Sequence, residues 1–377
     1  MMSLRLLVLG ANGFIGSNLI ERVLASRDWK VQGVDLQSHR LGTALEHPNF
    51  DFLEADVLLA QREIDRLIQR SDVVLPLVAI ATPMRYIREP LRTFEVTFSA
   101  NLRVIERCTD FEKRVIFPST SEVYGMSEDL PFDEETSRLV LGPVGKHRWI
   151  YSASKQLLDR VIHAYGLERG LRYTIFRPFN WIGPRLDDVM DPREGSSRVL
   201  TQFIGQIIRG EDLRLVDGGH QRRCFLYIDD ALDALFEIIE NRDGCADQRI
   251  FNLGNPANDL SIRELAELLL RLVARHERFR DVAKRVRCRE VTAAEYYGNG
   301  FQDAPLRAPS IRAAETFLGW KPTVDIETAI SKTLDYYLAS AELQKMGTGS
   351  AALRRRSHTR RGNAPDRLGR GQLPPRA

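Results

Sequence analysis

The feature that most constrains the fold is a short apolar run followed by a glycine-rich turn and a helical pattern. Residues 4–9 predict a buried strand, and residues 17–25 have the apolar spacing of a helix. The turn between them carries Gly10, Gly13 and Gly16. Because glycines have no side chains, the backbone there can approach a pyrophosphate, whose charge faces the start of the helix. Glycine turns are common, so this spacing is a weak signal when it is taken alone.

An acidic residue farther along the chain strengthens the prediction of a dinucleotide site. The next predicted strand, residues 30–34, is followed by Asp35, which comes 19 residues after Gly16. An acid at this distance, about 20 residues, binds the adenosine ribose and repels a 2′-phosphate. The alternative for Asp35 is an ordinary turn residue. With both features in register, the predicted cofactor is NAD.

The alternation of strands and helices continues and predicts the fold class. Further strands are predicted at residues 49–53, 72–79, 114–117 and 172–176, and further helices at residues 198–209, 229–240 and 261–275. These repeats predict an α/β protein with a Rossmann-type doubly wound parallel sheet and a smaller C-terminal substrate-binding lobe. The expected division is mainly NAD binding in residues 1–180 and mainly substrate binding in residues 181–343, where the chain can cross back into the sheet.

Charge is distributed unevenly and narrows the classes of partner. The net charge is +3, but residues from 346 onward carry eight arginines and one aspartate, or +7, which leaves −4 for the rest. Residues 344–377 have few large apolar side chains and are expected to form a disordered basic tail. The mildly acidic remainder indicates no nucleic-acid partner. No apolar run has the length of a membrane span, and four scattered cysteines indicate no disulfide framework or metal site, so a cytoplasmic setting is expected.

Two residues one helical turn apart carry the predicted chemistry. Tyr151 and Lys155 lie four positions apart in a helical pattern and therefore point the same way. A free phenol has a pKa of about 10, and a cation one turn away lowers that pKa. The pair could then take a proton from a sugar hydroxyl, if a hydride acceptor lies nearby. The alternative is an ordinary amphipathic helix with the lysine in solvent.

Polar side chains at the ends of two predicted strands converge on the same place. Thr120, Ser121 and Glu122 follow one strand, and Asn180 follows the next. In a doubly wound sheet these carboxyl ends lie at the edge that binds the dinucleotide. Each residue has a structural alternative, with Thr120 and Ser121 as helix caps and Glu122 in a first helical turn. Their combination with Tyr151 predicts an enzyme.

At this point the sequence resembles the extended short-chain dehydrogenases/reductases that act on nucleotide sugars. The motifs that carry the resemblance are the glycine turn, residues 119–125 (STSEVYG), Tyr151-x-x-x-Lys155, residues 177–180 (RPFN) and residues 217–223 (DGGHQRR). Within that family, residues 75–83, 148–151 and 178–187 are similar to the decarboxylase domains of bacterial bifunctional UDP-glucuronate decarboxylase/UDP-4-amino-4-deoxy-L-arabinose formyltransferases. The resemblance covers about residues 4–339. The formyltransferase half has no counterpart here, and the basic tail is extra.

The resemblance implies a reaction and the roles of three residues. UDP-glucuronate would be oxidised at C4 by NAD while Tyr151 takes the hydroxyl proton. Lys155 would tune Tyr151 and bind the cofactor ribose, and Thr120 would bond O4. The ketone then lies β to the C6 carboxylate, which is lost as carbon dioxide. The product would be a UDP-4-keto-pentose, or UDP-xylose if the hydride returns.

Ser121, Glu122 and Arg307 bear on which reaction of this family takes place. Ser121 stands where related dehydratases carry the aspartate that helps expel a C6 hydroxyl, which argues against dehydration. Glu122 and Arg307 match the positions that the decarboxylases use around the carboxylate and the proton. A lone arginine in a loop has a strong structural alternative, so the role of Arg307 depends on the resemblance. The alternatives are a nucleotide-sugar epimerase or dehydratase and a non-catalytic NAD-binding regulator.

The resemblance also implies which residues bind the cofactor and the substrate. The cofactor set is Gly10, Gly13, Phe14, Ile15, Gly16, Asp35, Asp56, Val57, Leu75, Ala79 and Lys155. The substrate set is Ala81, Tyr86, Arg148, Asn180, Arg198, Arg214, Arg223 and Phe301. Phe301 stands where the bacterial enzymes have tyrosine, so one hydroxyl contact to the nucleotide is expected to be missing. A homodimer is expected because relatives often pair through two helices from each subunit.

Overall fold

The structure is a computed structural model that describes residues 3–191, 197–298, 300–304 and 306–340. The basic tail predicted at residues 344–377 lies outside the described residues. None of the described helices is both long and apolar enough to cross a membrane.

The strands form one large parallel sheet and three small sheets. In chain order they are β1 (Arg5–Leu9), β2 (Lys30–Asp35), β3 (Phe50–Glu54), β4 (Val73–Pro76), β5 (Arg114–Pro118), β6 (Tyr173–Pro178), β7 (Trp181–Ile182), β8 (Leu213–Val216), β9 (Arg222–Cys224), β10 (Leu226–Tyr227), β11 (Arg249–Leu253), β12 (Asp259–Ser261), β13 (Cys288–Val291) and β14 (Leu306–Arg307). The large sheet has seven strands in the order β11-β6-β5-β4-β1-β2-β3. The small sheets have the orders β10-β7, β12-β9-β14 and β13-β8.

Helices occupy most of the connections between these strands. They are α1 (Phe14–Ser26), α2 (Gln61–Arg70), α3 (Pro83–Arg88), α4 (Pro90–Phe94), α5 (Ala100–Asp110), α6 (Trp149–Arg169), α7 (Val199–Arg209), α8 (Ile228–Glu240), α9 (Ile262–Val273), α10 (Arg280–Arg285), α11 (Ala293–Tyr297) and α12 (326–340). Ser261 and Glu264 form a capping box at the start of α9, which fixes where that helix begins. The Rossmann-type α/β fold predicted from the sequence is confirmed.

Both faces of the large sheet are buried, as the apolar runs of its strands require. In β1, Leu6 and Val8 belong to one core cluster, whereas Leu7 and Leu9 belong to another. Successive side chains of a strand point to opposite faces, so this alternation separates the two faces of the sheet. A parallel sheet with helices on both faces needs apolar residues at every position, which explains the continuous apolar runs in the sequence.

The C-terminal half of the chain returns to the large sheet once. β11 pairs in parallel with β6, from Arg249 opposite Thr174 to Leu253 opposite Pro178. Residues between β6 and β11 therefore leave the sheet and come back to its edge. The part of the chain predicted as a lobe thus completes the sheet.

One strand is shorter in the structure than the sequence predicts. The prediction covered residues 72–79, but β4 ends at Pro76. The backbone N–H of Leu77 still donates to Leu9 O at 2.7 Å, and the chain then leaves the sheet. Leu77 and Ala79 line the cavity described below, whereas Val78 packs against a core cluster.

Candidate active site

The glycine turn joins β1 to α1 in a backbone geometry that side chains would block. Gly10 has a φ of +89°, and a Cβ atom there would lie 3.1 Å from the backbone carbon of Leu77. A Cβ atom on Gly16 would lie 2.5 Å from the carbonyl oxygen of Gly10. The first turn of α1 therefore packs directly on the loop and leaves the helix N-terminus open to a pyrophosphate. This cradle fits a dinucleotide.

The carboxylate of Asp35 braces the glycine turn from the end of β2. Its Oδ2 atom accepts a hydrogen bond from the backbone N–H of Asn12 at 2.8 Å, and Oδ1 accepts one from Leu36 at 2.7 Å. Burial raises the pKa of Asp35 in spite of these donors. The residue thus lies at the sheet edge where a ribose contact was predicted.

A cavity of about 410 Å³ opens beside the glycine turn and the ends of β5 and β6. Most of the predicted site residues line it: Gly10, Gly13, Phe14, Ile15, Gly16, Ala79, Ala81, Tyr86, Thr120, Ser121, Glu122, Arg148, Tyr151, Lys155, Asn180, Arg198, Arg214, Arg223, Phe301 and Arg307. The sequence motifs, which are scattered over some 300 positions, therefore meet at one place.

Four of the predicted cofactor residues lie outside the lining of this cavity: Asp35, Asp56, Val57 and Leu75. Leu75 is part of the sheet core, and Val57 packs against the other core cluster. Asp56 accepts a hydrogen bond from the backbone N–H of Leu58 at 2.8 Å and lies 3.7 Å from Arg92. Asp56 thus forms a turn with Leu58 before α2, which has Ala60 at its N-cap position.

Tyr151 and Lys155 both lie on α6 and line the cavity. The Tyr151 ring stacks on Tyr86, with ring centroids 4.6 Å apart and planes within 6°. Burial raises the pKa of the Tyr151 phenol, and the Glu122 carboxylate raises it further, whereas a hydrogen bond with the Thr120 hydroxyl lowers it. The expectation of a lowered phenol pKa is therefore wrong in its net direction, because desolvation outweighs the favourable contacts.

Lys155 is buried almost completely, with 1% of its surface exposed. Its ammonium group donates a hydrogen bond to the carbonyl oxygen of Pro118 at 2.6 Å. Burial lowers the pKa of Lys155 to about 7, although the nearby Asp159 carboxylate opposes that shift. Asp159 is itself held by Ser119 at 2.9 Å and by Arg177 at 3.0 Å. Lys155 therefore changes its charge near neutral pH.

A cluster of five charged side chains, named the arginine cluster here, lines the cavity around Glu122. Glu122 Oε1 lies 3.4 Å from both Arg148 Nη2 and Arg307 Nη1. Asp303 Oδ1 lies 3.4 Å from Arg148 and 3.8 Å from Arg307, and both Asp303 oxygens accept from Arg223 at 2.8 Å. Burial opposes ionisation of Glu122, but Arg148 and Arg307 keep its pKa below the usual value.

The arginine cluster carries one net positive charge and has unused hydrogen-bond donors. Among the described residues, its three guanidinium groups pair with two carboxylates. In the part of the chain that the structure describes, Nε and Nη2 of Arg307 and Nε of Arg148 have no hydrogen-bond acceptor. Buried donors without acceptors destabilise a protein. An anionic group of a ligand in the cavity would balance the charge, whereas these three nitrogen atoms are themselves closed to solvent.

Asn180 and Arg198, predicted to bind substrate, are each held by a neighbour. Asn180 has a φ of +43° and donates to Cys224 O at 3.0 Å. Arg198 precedes α7, and its Nη1 atom donates to Asp187 at 2.9 Å. This contact fixes Arg198 at a helix N-terminus, where backbone N–H groups also attract phosphate.

Asp303 and Tyr297 are cavity residues that the sequence did not reveal. Asp303 contacts Arg223 across 80 positions of sequence, so no local spacing marks the pair. The ring of Tyr297 stacks on Phe301 at 3.8 Å and lines the cavity. The available signal was their place in the same segment as Arg307.

Known proteins are similar to this chain in sequence and in structure. The NAD dependent epimerase/dehydratase family matches residues 6–254. The PbgP3 protein from Burkholderia pseudomallei has a similar structure, with a TM-score of 0.82 and 46% sequence identity over 90% of this chain and 98% of that one. UDP-glucuronic acid 4-epimerase from Bacillus cereus, solved with UDP-glucuronic acid and NAD, has a TM-score of 0.73 and 22% identity over 88% and 98% of the two chains. At 22% identity the likeness shows the fold alone.

Proposed function

This chain belongs to the NAD dependent epimerase/dehydratase family, and from that premise we propose that it catalyses the oxidative decarboxylation of UDP-glucuronate. The cofactor is NAD, which supplies a hydride acceptor for the sugar when it is bound. The substrate hydroxyl at C4 would meet Thr120, which donates to O4, and Tyr151, which would take its proton. Burial raises the pKa of the Tyr151 phenol, so ionisation of Tyr151 would depend on the positive charge that NAD brings to the cavity. The choice of reaction then depends on what the cavity does with the C6 group.

The observation that carries the proposal is the arginine cluster. Its single net positive charge, on side chains that line the cavity, matches one carboxylate. Arginine pairs strongly with a carboxylate, and the effect is large in a buried setting. A neutral hydroxymethyl group would leave this charge unbalanced. The cavity therefore favours a uronate over a neutral sugar.

Loss of carbon dioxide follows from the position of the carboxylate relative to the new ketone. When C4 is a ketone, the C5–C6 bond can break and its electron pair moves into an enolate between C5 and O4. Hydroxyl groups of Thr120 and Tyr151 can donate to that oxygen as its charge develops. C5 then takes up a proton, which leaves a UDP-4-keto-pentose. The enzyme has only to stabilise the enolate and supply the proton.

Epimerisation is the second candidate, because the Bacillus cereus protein with this fold is a UDP-glucuronic acid 4-epimerase. An enzyme of that kind keeps the carboxylate, so product mass separates the two activities. Dehydration is less well supported, since Ser121 lines the cavity where a dehydratase would need a carboxylic acid. A serine hydroxyl is too weak an acid for that step.

The first prediction concerns the identity of the product and the role of Arg307. Incubation of the protein with UDP-glucuronate and NAD should release carbon dioxide, and mass spectrometry should detect a UDP-pentose or its 4-ketone. Arg307→Ala should bind NAD normally but lose decarboxylation, with kcat/KM for UDP-glucuronate lower by about a hundredfold or more, because the substrate carboxylate loses a charged partner in binding. Arg312→Ala is the matched control, since Arg312 is 79% exposed and pairs with Asp133. A product of unchanged mass would favour the epimerase, and full turnover in Arg307→Ala would remove Arg307 from the mechanism.

A further inference from the structure

We propose that Asp303 is a positioning residue that limits how tightly the cavity holds a substrate carboxylate, so that this group can depart as carbon dioxide. The inference rests on the proposed function and assigns a role to a residue that does no chemistry itself. Asp303 would act through the three arginines of the arginine cluster.

The contacts of Asp303 place it between all three arginines. Its two oxygens accept from Nη2 of Arg223, both at 2.8 Å. One oxygen also lies 3.4 Å from Nη1 of Arg148 and 3.8 Å from Nη2 of Arg307. The carboxylate therefore competes with any ligand anion for the same guanidinium groups.

Arg223 is fixed by more than this ion pair. Its Nη1 atom donates to the carbonyl oxygens of Arg222 at 2.8 Å and Ala304 at 3.0 Å. With Nη2 directed to Asp303, both terminal nitrogens of Arg223 have protein acceptors. Arg223 was predicted to bind substrate, but these contacts make it a brace for the segment that carries Asp303 and Arg307.

The pairing of β9 with β14 shows why a carboxylate is needed here. Arg307 lies directly opposite Arg223 in this parallel ladder. Like charges opposite each other in a sheet repel, and burial strengthens the repulsion. Asp303 contacts both guanidinium groups, at 2.8 Å from Arg223 and 3.8 Å from Arg307, and Glu122 pairs with Arg307 at 3.4 Å.

Removal of the Asp303 charge would change the balance between binding and reaction. The arginine cluster would then hold three cations against Glu122 alone, or two net positive charges. In the decarboxylation step, negative charge leaves the carboxylate and moves to the enolate oxygen. Contacts to the carboxylate therefore stabilise the ground state more than the transition state, and stronger contacts slow the reaction. Asp303 keeps that ground-state attraction small.

The second prediction is that Asp303→Asn binds the uronate more tightly and releases carbon dioxide more slowly. Binding is measured with NAD present in a Tyr151→Phe background, which cannot take the O4 proton. The affinity for UDP-glucuronate relative to UDP-glucose should rise about tenfold, the scale of one charged hydrogen bond. In single turnovers of the Tyr151 enzyme, carbon dioxide release should slow by about tenfold, while the reduced-nicotinamide absorbance rises at the normal rate. Weaker or unchanged binding of UDP-glucuronate relative to UDP-glucose would overturn the inference.

Asp65→Asn is the matched control, and Asp303→Glu tests the charge apart from folding. Asp65 pairs with Nη2 of Arg103 through both oxygens at 3.0 and 2.8 Å, and it does not line the cavity. That variant should leave both readouts unchanged. Asp303→Glu keeps the charge, so it should fold and leave both readouts close to those of the unmodified enzyme even where Asp303→Asn does not fold; a tenfold shift of either readout in Asp303→Glu would overturn the inference. If the unmodified enzyme releases no carbon dioxide, the proposed function fails, and the affinity ratio alone decides the role of Asp303.

Discussion

Lys155 has a proposed role in the reaction, and its burial lowers the stability of the folded protein. A lysine in water has a pKa of about 10.4, but burial lowers the pKa of Lys155 to about 7. Between these two values the unfolded chain binds a proton that the folded chain does not bind. Stability therefore rises with pH across this interval. Below about pH 7 the folded protein carries the full desolvation penalty of a buried ammonium group.

The third prediction follows from this rise of stability with pH. Lys155→Met removes the buried charge, so the variant should be more stable than the unmodified protein by roughly 4–5 kcal/mol at pH 6. The difference should shrink as pH rises above about 7 and become small above about pH 11, where lysine is neutral in the unfolded chain as well. Denaturant unfolding at several pH values measures it, and turnover of UDP-glucuronate should be lost in the same variant. A variant that is less stable at low pH would show that the contact with Pro118 outweighs desolvation.

In the glycine turn, the close packing of the loop on α1 also positions the groups that bind the cofactor. A Cβ atom on Gly16 would lie 2.5 Å from Gly10 O and 2.8 Å from Ala11 O. Both neighbours are backbone atoms, so the loop would have to move relative to α1. Such movement would displace the N–H groups that face a pyrophosphate.

The fourth prediction is that Gly16→Ala weakens NAD binding by about tenfold or more and destabilises the fold by roughly 1–3 kcal/mol. Gly145→Ala serves as the control, because a Cβ atom there meets nothing within 4 Å. Fluorescence titration with NAD and thermal unfolding measure the two effects. Normal NAD affinity in Gly16→Ala would mean that the loop can shift without losing the cradle.

At the scale of the whole molecule, the sequence predicted local features well and distant contacts poorly. The glycine turn and the Tyr151–Lys155 spacing are visible because each is contained in one turn or helix. The direction in which the pKa of Tyr151 shifts could not be predicted, because it depends on burial and on Glu122, which another strand positions. Asp303 was missed for the same reason, since its partner Arg223 lies in a different element. Spacing predicts which residues share an element, but only packing decides which elements share a cavity.

The return of β11 to the large sheet bears on whether residues 1–180 can fold alone. β6 pairs with β11 along its length, and Phe251 and Leu253 of β11 are fully buried. On one face of the sheet, Phe236 of α8 packs on Trp29 with ring centroids 5.7 Å apart. A fragment that ends at residue 180 would expose the edge of β6 and this apolar face.

The fifth prediction is that a fragment of residues 1–180 does not fold cooperatively, whereas residues 1–340 do. Both faces of a parallel sheet have to be covered, and the shorter fragment lacks α8 and β11. The unpaired edge of β6 should make the fragment aggregate, and it should not bind NAD although it contains the whole glycine turn. Circular dichroism during heating and NAD titration provide the measurements. A fragment of residues 1–254, which regains both elements, should recover part of the cooperativity. A 1–180 fragment that unfolds cooperatively and binds NAD would contradict the prediction. Residue 180 would then be a true domain boundary, and the sheet would be stable without β11.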